Sequence, residues 1–282
     1  MMHTARSTRR RIAARIGITA ALLLTATSLL QAHDLFFRAM NFHVAPGATI
    51  KLRALNGTFS SSENSVARDR LRDLSVVSPA GHAHPDTTQW SAAGDTSILT
   101  LSTGSSGTYI VGASLLPREI TLKSADFNSY LADDGIPDVL AARKRDGALG
   151  KDATERYSKH IKTLVQVGTS RTADVGTVLG YPAELIPLEN PYSLPAGSTL
   201  RVRAIVDGKP VPNQLVVAGG RTPSGARLRE RRVRTDAAGV ARVKIPAKGQ
   251  HYVKFIHMVP FIATGEKIDY ESKWATLTFE IR

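Results

Sequence analysis

Not one of the 282 residues is cysteine. That absence excludes disulfide staples, thiolate metal sites, a Cys nucleophile and a lipidated N-terminal cysteine, so stability has to come from burial. Aromatic residues are sparse, at 6%, and do not interleave with the basic ones. Single-stranded nucleic acids are gripped by stacking rings set in a basic groove, and no such pattern exists here. Catalytic motifs are missing too. There is no HExxH, no nucleophile-elbow glycine pattern, no phosphate-cradling glycine loop and no EF-hand spacing. Asp126 and the pair Asp133-Asp134 read more simply as helix caps or solvated carboxylates, and no catalytic residue is expected.

Acidic residues are absent before Asp34. The segment they avoid has the three parts of a secretory leader. Arg6, Arg9, Arg10, Arg11 and Arg15 make a positive start, Ile16 to Leu30 is an apolar core, and Leu30-Gln31-Ala32 resembles a small-residue cleavage site. A membrane span needs about 20 apolar residues, and this core has 15, softened by Gly17, Thr19, Thr25, Thr27 and Ser28. Cleavage after Ala32 is therefore expected, giving a periplasmic protein that begins at His33. The run Thr8-Arg9-Arg10-Arg11-Ile12 loosely resembles a twin-arginine export signal. No further run of the sequence is apolar enough to span a bilayer. The net charge of +13 needs correction for the leader: removing five arginines from 37 basic residues leaves 32 against 24 acidic ones, or +8. Such a surface is drawn to anionic polymers or membranes at long range but does not indicate a nucleic-acid partner.

Strands and turns dominate the rest. Leu35 to Val44, Thr49 to Leu55, Leu74 to Val77, Ser97 to Leu101 and Thr108 to Gly112 are short apolar runs separated by Gly, Pro and Asn, the pattern of an all-β region spanning 33–120. Residues 121–168 read as a helical insert with a return strand. Ala125 to Arg145 is broken at Pro137, Lys151 to Leu164 reads as a helix capped by Asp152 or Thr154, and Val165 to Val167 is the strand. Four prolines between Gly180 and Pro195 suggest a linker over 169–195. The last region, 196–282, alternates strands such as Leu200 to Val206, Val240 to Ile245, His251 to Met258 and Trp274 to Ile281 with turns at Asp207-Gly208 and Asp236-Ala237-Ala238-Gly239. The expected fold is mainly β: two Ig-like or Greek-key β-sandwich domains with a small helical insert between them.

Two resemblances follow. Gly208-Lys209-Pro210-Val211, Thr235-Asp236-Ala237-Ala238-Gly239 and Gly249-Gln250-His251-Tyr252-Val253 resemble the collagen-adhesin B-type or carboxypeptidase-regulatory sandwich, which implies fold and little about activity. Ala32-His33-Asp34-Leu35-Phe36, Asn56-Gly57-Thr58-Phe59, Gly107-Thr108-Tyr109-Ile110-Val111-Gly112, Phe127-Asn128-Ser129-Tyr130-Leu131, Arg156-Tyr157-Ser158-Lys159 and Trp274 to Glu280 resemble, in order, a family of exported bacterial proteins of unassigned function (DUF4198). That family is grouped with periplasmic nickel-uptake proteins, so the resemblance implies metal handling. The chain departs from the transporter members in having no transmembrane segment after the sandwich.

His33 is the residue on which chemistry is expected to rest. As the first residue of a processed chain it offers an α-amine and a ring Nδ1 that chelate one ion, and a second imidazole would complete a histidine brace. Nitrogen donors of this kind suit nickel or copper, with zinc less demanding. The partner candidates are His257, His251 and His43. His251 and His257 share a strand face, about 20 Å apart at 3.3 Å per residue, so only one can join His33, and the family resemblance favours His257. His82 and His84 form a loop pair that could take metal adventitiously, and His160 is expected on the solvent face of a helix. The expectation is a non-enzymatic periplasmic protein that captures or delivers a divalent transition metal, partnered by a membrane transporter or another envelope protein. A non-catalytic sandwich module for envelope assembly or adhesion is the alternative, and a copper-dependent oxidase is the enzymatic form of the metal reading.

Overall fold

A computed structural model describes residues 33–263 and 265–282 of the chain; the expected leader lies outside them. Its organising element is a ten-stranded sheet whose central strands are buried on both faces. In spatial order it runs Arg227–Arg234, Leu215–Arg221, Gly249–Pro260, Tyr270–Ile281, Ala153–Val167, Gly107–Leu115, Leu71–Ser78 and Gly81–Ala83, with His43–Val44 and Arg118–Leu122 also paired to Ala153–Val167. A four-stranded sheet led by Asp34–Ala39 and Thr49–Gly57 covers part of one face, joining Phe37, Leu52 and Leu99 to Val111, Ala113 and Val165. Helices Ser124–Asp133 and Pro137–Arg145 cover the rest of that face through Phe127, Tyr130 and Leu131, which meet Ile256, Met258 and Trp274. A second four-stranded sheet, containing Ala183–Pro187, Thr199–Val206 and Val240–Lys244, packs on the opposite face against Val253, Phe255, Leu277 and Phe279. The protein is thus mainly β with a sandwich layout, as expected, and its two sandwiches share the central sheet.

Three readings of the sequence are corrected. Lys151 to Leu164 is not a helix but most of the fifteen-residue strand Ala153–Val167. Both faces of that strand are covered, so it carries no polar-out alternation to advertise its period, and its freedom from Gly and Pro suits either element. Asp152, read as the cap of that helix, instead accepts the Ser124 N–H at 3.0 Å and so serves the start of helix Ser124–Asp133. The expected strand Leu35 to Val44 breaks after Ala39. Phe42 drops into the core, its carbonyl accepts the Gln166 N–H at 2.8 Å, and His43–Val44 crosses to the central sheet. The Pro-rich stretch 169–195 is not an exposed spacer: it holds strand Ala183–Pro187, and Tyr181, Leu185 and Tyr192 are core residues. Glu184 explains how it is held. Its carboxylate accepts backbone N–H groups of Leu179, Gly180 and Tyr181 and pairs with the buried ammonium of Lys162.

Turn chemistry was legible. Asp207 and Gly208 both have positive φ, as a tight hairpin turn requires. At Gly239, φ +72°, a Cβ would approach the Ala204 carbonyl to 3.0 Å, so only glycine fits. Among the described residues no helix is long and apolar enough to cross a membrane.

Candidate functional site

Strand Asp34–Ala39 has two jobs. Its edge pairs with Thr49–Gly57, setting Asp34 opposite Gly57. Its flank is tied to the central sheet, where Thr276 and Thr278 hydroxyls donate to the Leu35 and Phe37 carbonyls at 2.9 and 2.6 Å. Phe36 adds an aromatic anchor, its ring 5.0 Å from Tyr252 and 5.5 Å from Phe59. The chain at His33 is therefore held against the sheet, and its surroundings are polar.

Two lysines of the sheet receive it. Lys159 donates to the His33 carbonyl and to Asn56 Oδ1 at 3.3 Å, and Lys254 donates to Asp34 and to Asp134 Oδ1 at 3.4 Å. Glu63 Oε2 lies 2.9 Å from His33 Nε2. Below them Glu155 is fully buried, accepting from Ser272 and from Tyr130 at 3.1 Å. Asp34 Oδ1 and Glu155 Oε2 are buried with no partner among the described residues, which is uncommon enough to mark the place.

Burial sets the charges. It pulls the Lys159 ammonium, which lies 5.2 Å from the Trp274 ring centre, down to about 8, against the opposing pull of Asp34 and Glu155. It pushes the Asp134 carboxyl up to about 6 in spite of Lys254. Glu155 is also raised by burial, with its hydrogen bonds opposing. For Lys254 burial acts downward but is outweighed by Asp34 and Asp134, and the ammonium is held above its ordinary value.

The other histidines lie apart from this cluster. His251 and His257 do share one face of strand Gly249–Pro260, but it is the wrong face. Lys254, Ile256 and Met258 point toward Asp34 and the helices, while His251 and His257 alternate with them toward the second small sheet. His251 stacks on Phe279 and bonds the Ala247 carbonyl at 2.9 Å, and His257 bonds Gln214 Oε1 at 3.0 Å. The central sheet separates both from His33. His43 lies 3.6 Å from Glu280, with Arg171 and Arg282 close enough, after burial, to help lower its pKa to about 4. His160 is buried, not solvent-facing; its ring meets Ser114 at 2.9 Å and Ser158 at 3.0 Å, and burial lowers it to about 3. His82 and His84 sit on the exposed hairpin at Gly81–Ala83, ring centres 4.7 Å apart.

The donor set consequently does not fit a brace of His33 with His257 or His251. Among the described residues no three His, Asp or Glu side chains converge on one ion. Of the histidines, His33 alone lies at this polar cluster. Glu63 approaches the ring at Nε2, so Nδ1 is the ring nitrogen that it leaves unengaged. Asp34 supplies adjacent negative charge.

Lys159, Lys254, Glu155 and Glu63 escaped the reading of the sequence, and Asp134, read there as a cap or a solvated carboxylate, faces Lys254 instead. The available signal was a lysine in phase with apolar strand neighbours, as at Lys254 between Tyr252 and Ile256.

A family model described as "Domain of unknown function (DUF4198)" matches residues 30–259. No curated protein matches the chain.

Proposed function

The chain belongs to this family of unassigned function, and from that premise we propose that it is an exported envelope protein that binds a divalent transition metal at its processed terminus. The α-amine and Nδ1 of His33 hold the ion, Glu63 orients the ring through Nε2, and the remaining positions are open to water or to a ligand from a partner. Nitrogen donors select copper or nickel over calcium or magnesium. Such open positions suit capture and hand-over better than permanent storage. The resemblance to periplasmic nickel-uptake proteins favours the same reading, and the resemblance of the C-terminal region to regulatory-type sandwiches favours a role as scaffold, delivering the ion to a transporter or another envelope protein.

The observation that carries the proposal is the 2.9 Å approach of Glu63 to His33 Nε2, which supports a terminal chelate through Nδ1. The test begins with the N-terminal sequence of the exported protein, followed by titration with Cu2+ and Ni2+. Submicromolar binding by a chain that begins at His33, lost in His33→Ala and retained in His257→Gln, is the expected result. Weak binding indistinguishable between the native chain and His33→Ala would refute it.

A further inference from the structure

We propose that the cavity between segment His43–Val44 and the end of strand Tyr270–Ile281 binds an organic carboxylate with an apolar body, independently of the His33 site. The cavity measures about 530 Å3 and is lined by residues that include His43, Val44, Arg171, Leu194, Ile281 and Arg282. Sites for small organic molecules occupy roughly 300–1,000 Å3 and combine apolar walls with a few directed polar groups. This cavity lies within that size range and sets apolar residues beside charged ones.

Its walls are fixed by the fold. His43 is pinned in register with Gln166 on the central sheet, and Tyr192 stands edge-on to it with ring centres 4.9 Å apart. The Tyr192 hydroxyl donates to the Leu164 carbonyl at 2.7 Å and so is not available to a ligand. Val44 and Leu194 supply apolar surface. The charged and polar groups are Arg171, Arg282 and His43, together with one carboxylate, Glu280, which Arg282 engages. Arg171 has no ion-pair or hydrogen-bond partner among the described residues, and Arg282 engages Glu280 only through Nε, at 3.4 Å. Guanidinium forks match the two oxygens of a carboxylate. His43 carries a buried Nε2 without a hydrogen-bond partner, the Glu280 oxygen lying 3.6 Å away. With Glu280 partnered by Arg282, Arg171 leaves the charge beside this ring net positive, which opposes a metal cation and favours an anion. The apolar walls favour an anion with a hydrocarbon part over a bare inorganic one.

The measurement is calorimetric titration of the exported protein with sodium hexanoate, its neutral analogue hexanamide, and inorganic phosphate. Arg171 is exposed, so Arg171→Gln should melt like the native protein. Saturable hexanoate binding is expected in the native chain and in His33→Ala. A loss of about tenfold in affinity is expected in Arg171→Gln and for hexanamide, the scale of one good charge-assisted contact. The inference is overturned by any of four results: no saturable hexanoate binding up to about 10 mM, equal binding by Arg171→Gln, phosphate binding as tightly as hexanoate, or loss of binding in His33→Ala.

Discussion

Replacing Lys254 with methionine removes the one ammonium that holds Asp34 to the central sheet. Lys254 is 7% exposed and pairs with Asp34 and Asp134. Methionine keeps the volume of the stem, so packing changes little, but two carboxylates are left close together in a buried place. Breaking a buried ion pair from one side costs about 3–5 kcal/mol. For a protein of this size each kcal/mol lowers Tm by about 2–4 °C, so the deficit should be roughly 6–20 °C at neutral pH. Its pH dependence carries the reasoning. The folded pKa of Asp134 is already raised to about 6, so the native state binds more protons than the unfolded one between about 4 and 6, and stability falls as pH rises through that window. Without Lys254 the folded value climbs further, and the deficit of Lys254→Met should shrink as pH drops below 6. Asp134→Asn in the same background should recover part of the loss. Scanning calorimetry from pH 4 to 8 measures this. A deficit under about 2 °C, or one unchanged across that range, would refute the ion-pair account.

Three further outcomes are expected. Glu63→Gln should weaken Cu2+ or Ni2+ binding by about 10- to 100-fold with unchanged melting, the effect of losing a carboxylate that orients a ligating histidine; equal affinity by titration would remove Glu63 from the site. Glu184→Ala strands Lys162 and three backbone N–H groups in the core, and urea unfolding should register a loss of about 3–5 kcal/mol; a loss below about 1 kcal/mol would mean that water reaches the site. NMR titration of the imidazoles should find His43 and His160 neutral down to about 4 and 3. Because these folded values lie below the unfolded one, their contribution to stability is complete above about 6.5 and is lost as pH falls toward the folded values; either ring titrating near 6.5 would contradict its burial.

What could be read without coordinates follows from how local each signal is. Hairpin turns such as Asp207-Gly208 depend on two residues, and they were legible. So was the pairing of His251 with His257 on one face, which needs only the period of a strand. Strand Ala153–Val167 was misread because burial on both faces erases that period. Of the candidate site, the sequence pointed to His33 and to none of the groups that face it. Which face of Gly249–Pro260 meets the terminal strand depends on the order of strands in the central sheet and on the sheet-switch after Ala39, and neither is encoded near His257. Lys159 and Lys254 were hidden by composition, since a lysine in a strand usually reaches water, and their burial becomes sensible only beside Asp34, Glu155 and Asp134.

The most direct test uses the amine itself. Cu2+ affinity is measured for two otherwise identical chains, one starting at His33 and one retaining Ala32, with the copper spectrum recorded by pulsed EPR to count bound imidazoles. A single coordinated imidazole, and tight binding confined to the chain that starts at His33, is the predicted result. Equal affinity in both chains, or two imidazoles on the ion, would contradict a chelate built from the terminal histidine alone.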